Sequence, residues 1–339
     1  MPPQYVHRMP PKLVAIGDLQ GNLSGLETLL RAAGLMDRAS RWIGGTSVLV
    51  QLGDIFGRAQ NPRGACDLLR DLAEEAEEAG GGVHVIIGNH EAEVVHRYEF
   101  ECDPREYVRF ATHASLRKWK RERALAEESF WSLGQEESLP LANLVRAWEL
   151  LHPVGREEFR KALSPRGEYG KWICSLPAAI KIGPILFSHA GVLPPYAKMG
   201  LNGINEAVSH AMESNAYFPA MAEDNVLLDP EGPLWTRALA WGARGLKAAL
   251  AEVERRIGIA VQIIGHTPTD DYRIRTRHNH HIVCIDTGIG RPKEGRLSAL
   301  VVQDGILWAI YPPRERRKLG VMPTQPQSQS SRARRRRRT

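Results

Sequence analysis

The stretch Ser47-Val48-Leu49-Val50-Gln51-Leu52-Gly53-Asp54-Ile55-Phe56-Gly57-Arg58 decides how this sequence is read. A short β-prone apolar run ends on a glycine, and a carboxylate and an arginine follow at once. The same grammar recurs along the chain. Leu13–Ile16 leads into Gly17-Asp18-Leu19-Gln20-Gly21-Asn22, and Val83–Ile87 leads into Gly88-Asn89-His90-Glu91. Ile185–Phe187 leads into Ser188-His189-Ala190-Gly191, Ala260–Ile264 into Gly265-His266-Thr267-Pro268, and His281–Ile285 into Asp286-Thr287-Gly288. A single Gly-Asp after a strand is an ordinary turn. Its repetition with Asp, Asn or His each time points to strand ends that aim polar side chains at one place.

Apolar runs without alternation predict a sheet buried on both faces. Ligands of such sheets sit beyond the carboxyl ends of the strands. Helical patterns separate the runs at Leu26–Ala33, Ala65–Ala79, Ala92–Glu99 and Gly245–Ile257, which argues for an α/β layered fold. The segment from Pro104 to about residue 165 breaks this grammar. It is charged, helix-prone and bears Trp119, Trp131 and Trp148, so it is expected to be a helical insertion whose aromatics pack on one another. Leu297–Val302 and Ile306–Tyr311, around Asp304-Gly305, read as a hairpin closing a second sheet. The expected domain covers residues 11–312, with a disordered basic tail over 313–339.

The 339 residues carry 45 Lys and Arg against 39 Asp and Glu, a net charge of +6. Arg332 and Arg334–Arg338 account for that excess by themselves, so the folded part is near neutral. An arginine run can attract nucleic acid by counterion release, but a solvated tail without a fixed partner is the plainer expectation. No apolar run reaches the length of a membrane span. Four widely spaced cysteines without a CxxC pair fit reduced thiols of a cytoplasmic protein. His278, His280 and His281 are expected in an exposed turn, and His84 packed inside a strand.

Asp, Asn and His together suit divalent ions such as Mn, Fe or Zn. Two such ions can activate water and stabilise in-line displacement at phosphorus. Asp54 is the expected bridging carboxylate, Arg58 can grip phosphate bidentately, and His90, next to Asn89, is placed to protonate a leaving oxygen.

The ordered set GDLQGN, GDIFGR, GNHE, SHAG and GHTP resembles the GDxHG, GDxxDRG, GNHE, HGG/HAG and final-histidine motifs of calcineurin-like metallophosphoesterases, particularly PPP-type phosphatases. The resemblance runs from about Leu13 to Gly290. Gly232-Pro233-Leu234-Trp235-Thr236-Arg237 ahead of GHTP, and Trp172-Ile173-Cys174-Ser175-Leu176-Pro177 ahead of SHAG, are similar to the bacterial Shewanella-like protein phosphatases. This implies a sandwich of two mixed β-sheets flanked by helices, two divalent metals with manganese foremost, and a phosphorylated protein or small phosphate ester as substrate. It further implies Asp18 and Gln20 at the first metal, Asp54 between the two, and Asn89, His189 and His266 at the second. Arg58, Asn89, His90 and Arg237 would hold the phosphate, His90 would act as general acid, and Glu91 would support the ligands from behind.

Two positions depart from the pattern. Gln20 stands where the first motif has a histidine, and Gly57 stands where the second has the aspartate that orients the catalytic histidine. These departures keep two other readings open: a dinucleoside polyphosphate hydrolase, which shares the missing aspartate, and a pseudo-phosphatase that binds phosphorylated ligands without turnover.

Overall fold

The structure, a computed structural model, describes residues 4–58, 61–99, 102–134, 140–213, 225–291 and 293–324. Among them the strands are β1 (Val6–His7), β2 (Lys12–Ile16), β3 (Val48–Gln51), β4 (Gly82–Val85), β5 (Ala179–Ile182), β6 (Ile185–Ser188), β7 (Val261–Ile264), β8 (Arg275–Arg277), β9 (Ile282–Cys284), β10 (Ala299–Gln303), β11 (Ile306–Tyr311) and β12 (Glu315–Val321). The helices are α1 (Leu23–Ala32), α2 (Pro62–Glu78), α3 (Asn89–Val95), α4 (Pro104–Val108), α5 (His113–Gly134), α6 (Leu141–Leu151), α7 (Arg156–Leu163), α8 (Glu168–Cys174), α9 (Pro194–Met212), α10 (Ala238–Trp241) and α11 (Leu246–Ile257). No described helix is long and apolar enough to cross a membrane.

The six strand-plus-loop units do not share one sheet, as their uniform pattern suggested. They divide three and three. One mixed sheet runs β12-β11-β10-β2-β3-β4 and the other β1-β5-β6-β7-β9-β8. Within them β2, β3 and β4 are parallel neighbours, as are β6, β7 and β9. The β10–β11 hairpin pairs antiparallel with β2, so it widens the first sheet. The two-sheet sandwich implied by the motifs is the observed fold.

Period-two geometry explains why the pattern looked unbroken. On β2, Leu13 and Ala15 face the second sheet, joining Val50, Ile180, Phe187, Ile263 and Val283 in the core between the sheets. Val14 and Ile16 face outward but are just as buried, under α1 and α2 through Leu26, Leu29, Leu69 and Leu72. On the far side α10 and α11 cover Ile264, Ile282 and Cys284 with Leu239, Leu246 and Leu250. Both faces of each sheet are therefore apolar, and the alternation that would have separated the sheets is absent.

Residues 313–321, assigned to the tail from the sequence, are corrected by β12. Glu315–Val321 pairs with β11 at the sheet edge. Its Glu315-Arg316-Arg317-Lys318 start is exposed and charged, which is how an edge strand avoids further pairing and why it read as a tail. The arginine run lies outside the described residues.

The insertion is helical throughout its described part, α4 to α7. Trp119 and Trp148 face each other with ring centroids 6.0 Å apart, and the Trp119 indole N–H donates to the His152 carbonyl at 2.6 Å. Trp131 is exposed. Phe159 of α7 is fully buried and meets Phe56, Tyr107 and Phe110 edge-on, which seats the insertion against the Asp54 loop.

Candidate metal centre

Chain reversal after an apolar strand needs left-handed backbone, and here ordinary residues supply it. Gln20 (φ 44°), Asp54 (φ 52°), Arg58 (φ 63°) and His266 (φ 63°) all lie in that region. Non-glycine residues there cost of order 1 kcal/mol or more each and gather at functional sites. The loops brace one another. Leu19 and Gln20 donate their N–H groups to the Asp54 carbonyl at 3.0 and 2.7 Å. Glu91, fully buried on α3, accepts from the backbone N–H of Asp54, Ile55 and Gly88 at 2.7, 2.7 and 2.9 Å. A side chain at Gly88 would collide with Asp54 Oδ1, so only glycine lets α3 start this close to the carboxylate.

Onto this frame converge residues from five strand ends. Asp54, His189 and His266 bring one ligand atom each within 4.8 Å of one another. Asn89 Oδ1 lies 3.0 Å from His189 Nε2 and 3.0 Å from His266 Nδ1. His189 Nδ1 is 2.7 Å from the Leu52 carbonyl, an acceptor, so Nδ1 carries a proton and Nε2 faces the cluster. Asp54 Oδ1 lies 3.4 Å from His189 Nε2. The Asp18 carboxylate accepts from the His266 backbone N–H at 3.0 and 3.1 Å. Asp18, Asp54, Asn89, His189 and His266 are all more than nine-tenths buried.

The electrostatics of the cluster are those of a cation site. Burial and then Asp286 push Asp18 well above the usual carboxylate range. Burial also raises Asp54, but His189 and His90 outweigh it and hold this carboxyl below its usual range. Burial opposes charge on His189, yet Asp54 and Asp18 prevail and raise it to about 10. Burial and His189 together drop His266 to about 2, leaving it neutral. The carboxyls of Asp18, Asp54 and Asp286 are all buried around these imidazoles. His266 Nε2 is buried without a hydrogen-bond partner, and Asn89 Oδ1 gathers two imidazole nitrogens. Mixed O and N donors with such unmet bonding capacity fit a divalent ion.

The flanking residues are placed unequally. His90 Nε2 lies 3.5 Å from Asp54 Oδ2, which brings His90 to the cluster. Arg237 donates to Thr267 Oγ1 at 3.3 Å, one residue from His266, and lies over the Trp241 ring at 5.9 Å. Arg58 sits half-buried on the Asp54 loop. Gln20 is buried, and its side chain lies against Gly290. Asp286, the polar residue of the sixth strand-end unit, also belongs to this centre. It is 2 % exposed, and burial raises it to about 6, with its Gly288 N–H bond pulling the other way. Its place after the sixth apolar run, His281–Ile285, was the available signal. Glu93 was also missed: its Oε2 lies 3.8 Å from His90 Nδ1. The three histidines at 278, 280 and 281 stand apart from the cluster; His278 and His280 have left-handed backbone, and His281 pairs with Glu254 at 2.5 Å. His84 packs on His7 with ring centroids 4.2 Å apart.

Comparison with known proteins agrees with this geometry. Residues 11–270 match the calcineurin-like phosphoesterase family. The chain is 24% identical over 282 residues to Shewanella-like protein phosphatase 1 of Plasmodium berghei (strain Anka), covering 82% of this chain and 67% of that one. It is 27% identical over 305 residues to Shewanella-like protein phosphatase 2 of Arabidopsis thaliana, covering 83% and 72%. The cold-active protein-tyrosine phosphatase of a psychrophilic Shewanella species superposes with a TM-score of 0.69 at 21% identity, over 94% of this chain and 82% of that one. The convergence of aspartates, asparagine and histidines at the strand ends, and the family match across them, make this chain a member of the calcineurin-like phosphoesterases, a hydrolase family that works with divalent metal ions.

Proposed function

We propose that the protein is a phosphomonoesterase acting on phosphorylated protein or peptide, with two divalent ions, manganese foremost, held at the strand ends. The observation that carries this reading is the meeting of Asn89 Oδ1, His189 Nε2, His266 and Asp54 in one buried cluster. Asp18, Gln20 and Asp54 would hold the first ion, and Asp54, Asn89, His189 and His266 the second. Ions bound there would supply Lewis acidity, which lowers the pKa of water and neutralises phosphate charge. Arg58 and Arg237 bind and orient the phosphoryl oxygens, Asn89 and His90 contact the same group, and His90 hands a proton to the departing ester oxygen. Glu91 holds the Asp54 and Asn89 loops together.

The protein substrate is supported by what adjoins Arg237. A cavity of about 900 Å³ opens beside it, lined by Leu193, Leu228, Pro230, Trp235 and Trp241, with Glu93 and Glu231 also on its wall. An apolar pocket bearing carboxylates suits the side chains around a phosphorylated residue and repels a polyphosphate chain. The relatives' names, protein phosphatases, agree with it. Hydrolysis of a phosphopeptide with apolar flanking residues should exceed that of a dinucleoside polyphosphate. The reverse order would assign the pocket to a nucleoside.

A further inference from the structure

Position 57 lacks the aspartate that would orient His90, and the structure shows a different carboxylate on the same nitrogen. Gly57 has φ of 91°, and a Cβ built there would lie 2.7 Å from His90 Nδ1. The space a residue 57 side chain would enter therefore borders that nitrogen. Glu93, one helical turn along α3, brings its Oε2 to 3.8 Å from the same Nδ1. The Glu93 side chain is 6 % exposed and that of His90 8 %, so both are largely buried where they meet, at the edge of the cavity beside Arg237. The other ring nitrogen, Nε2, faces Asp54 Oδ2 at 3.5 Å, toward the ligand cluster.

We propose that Glu93 is the positioning residue of His90, taking over the task that Gly57 cannot perform; the proposal rests on the phosphatase reading above. At 3.8 Å the carboxylate faces Nδ1 at a distance beyond a hydrogen bond. A negative charge on that side favours the tautomer with the proton on Nδ1. A ring held this way gives its Nε2 proton to the leaving oxygen. Nε2 is thereby the nitrogen turned to the leaving oxygen. Gly57 and Glu93 are complementary: the missing side chain leaves room for the ring, and the added carboxylate holds it.

The test compares wild type with Glu93→Gln and Glu93→Asp, as full chains. A general acid matters for poor leaving groups and little for activated ones. Glu93→Gln should therefore lose about 10- to 100-fold in kcat on phenyl phosphate and a phosphoserine peptide, yet stay within about threefold on 2,4-dinitrophenyl phosphate. Glu93→Asp, which keeps the charge at longer reach, should fall between. A long-range proton–nitrogen-15 spectrum of the metal-free protein should show the Nδ1–H tautomer of His90 in wild type and a mixture in Glu93→Gln. Equal loss on every ester, or unchanged His90 nitrogen shifts, overturns the proposal. Absence of turnover in wild type with every metal overturns the phosphatase reading, and the tautomer comparison then decides separately whether Glu93 orients the ring.

Discussion

The Glu91 carboxylate accepts the backbone N–H of Asp54 at 2.7 Å across 37 positions of sequence, tying the start of α3 to the loop that carries the proposed bridging ligand. Its other oxygen takes the N–H of Ile55 at 2.7 Å. One buried side chain thus fixes the relative position of Asp54 and Asn89, from different strand ends.

Removing it orphans several buried donors. Glu91→Ala should cost about 3 kcal/mol or more of stability, and Glu91→Gln less, since one acceptor oxygen remains. Urea unfolding of the metal-free proteins measures this. An unchanged midpoint for the alanine variant would show that the loops hold without the carboxylate.

Restoring the usual aspartate at position 57 should harm the protein. The left-handed φ of 91° and the 2.7 Å approach to His90 Nδ1 leave no room for a Cβ unless the ring moves. Gly57→Asp is expected to lower kcat by about tenfold or more, with destabilisation of about 1 kcal/mol or more. Higher activity in the variant would show that the ring has a second accommodating position.

Trp241 is 69% exposed on the wall of the cavity beside Arg237. Trp241→Ala should raise KM for an apolar-flanked phosphopeptide about fivefold, equivalent to roughly 1 kcal/mol, with kcat unchanged. Phenyl phosphate, which does not extend into the cavity, should show no difference. Equal KM values for both proteins on the peptide would remove this wall from substrate binding.

His84 gives a pH dependence whose sign is fixed by burial. Burial, and then His7, lower it from 6.5 to about 4. The unfolded chain therefore binds a proton between about pH 6.5 and 4 that the folded chain refuses, so stability falls as pH drops through that window. Between pH 7 and pH 5 the loss from this residue is about 2 kcal/mol. His84→Phe should flatten the profile by that amount in urea titrations at the two pH values. An identical slope would show that His84 titrates normally in the folded protein.

The centre was legible because each of its members follows an apolar strand, a pattern local in sequence. Asp18, Asp54, Asn89, His189 and His266 all meet where that pattern placed them. What was not legible depends on distances across the fold. Glu93 looks like an ordinary helix glutamate until α3 turns it onto His90, whereas Asp286 did carry the strand-end pattern and lacked only a role. The partition into two sheets came from the motif resemblance and not from the apolar runs, because helices bury the outer faces as thoroughly as the sheets bury the inner ones. β12 was hidden for the opposite reason: an exposed edge strand carries no apolar pattern.

The buried Asp54 cluster is expected to bind divalent metal, and hydrolysis is expected to depend on it. Metal-stripped protein and its Asp54→Asn variant, each titrated with Mn²⁺, Zn²⁺ and Fe²⁺ against an aryl phosphate, measure this directly. Wild type should gain turnover with saturating metal, and the variant should fall by about 100-fold or more. Turnover that ignores metal, or that survives intact in Asp54→Asn, would remove this cluster from catalysis.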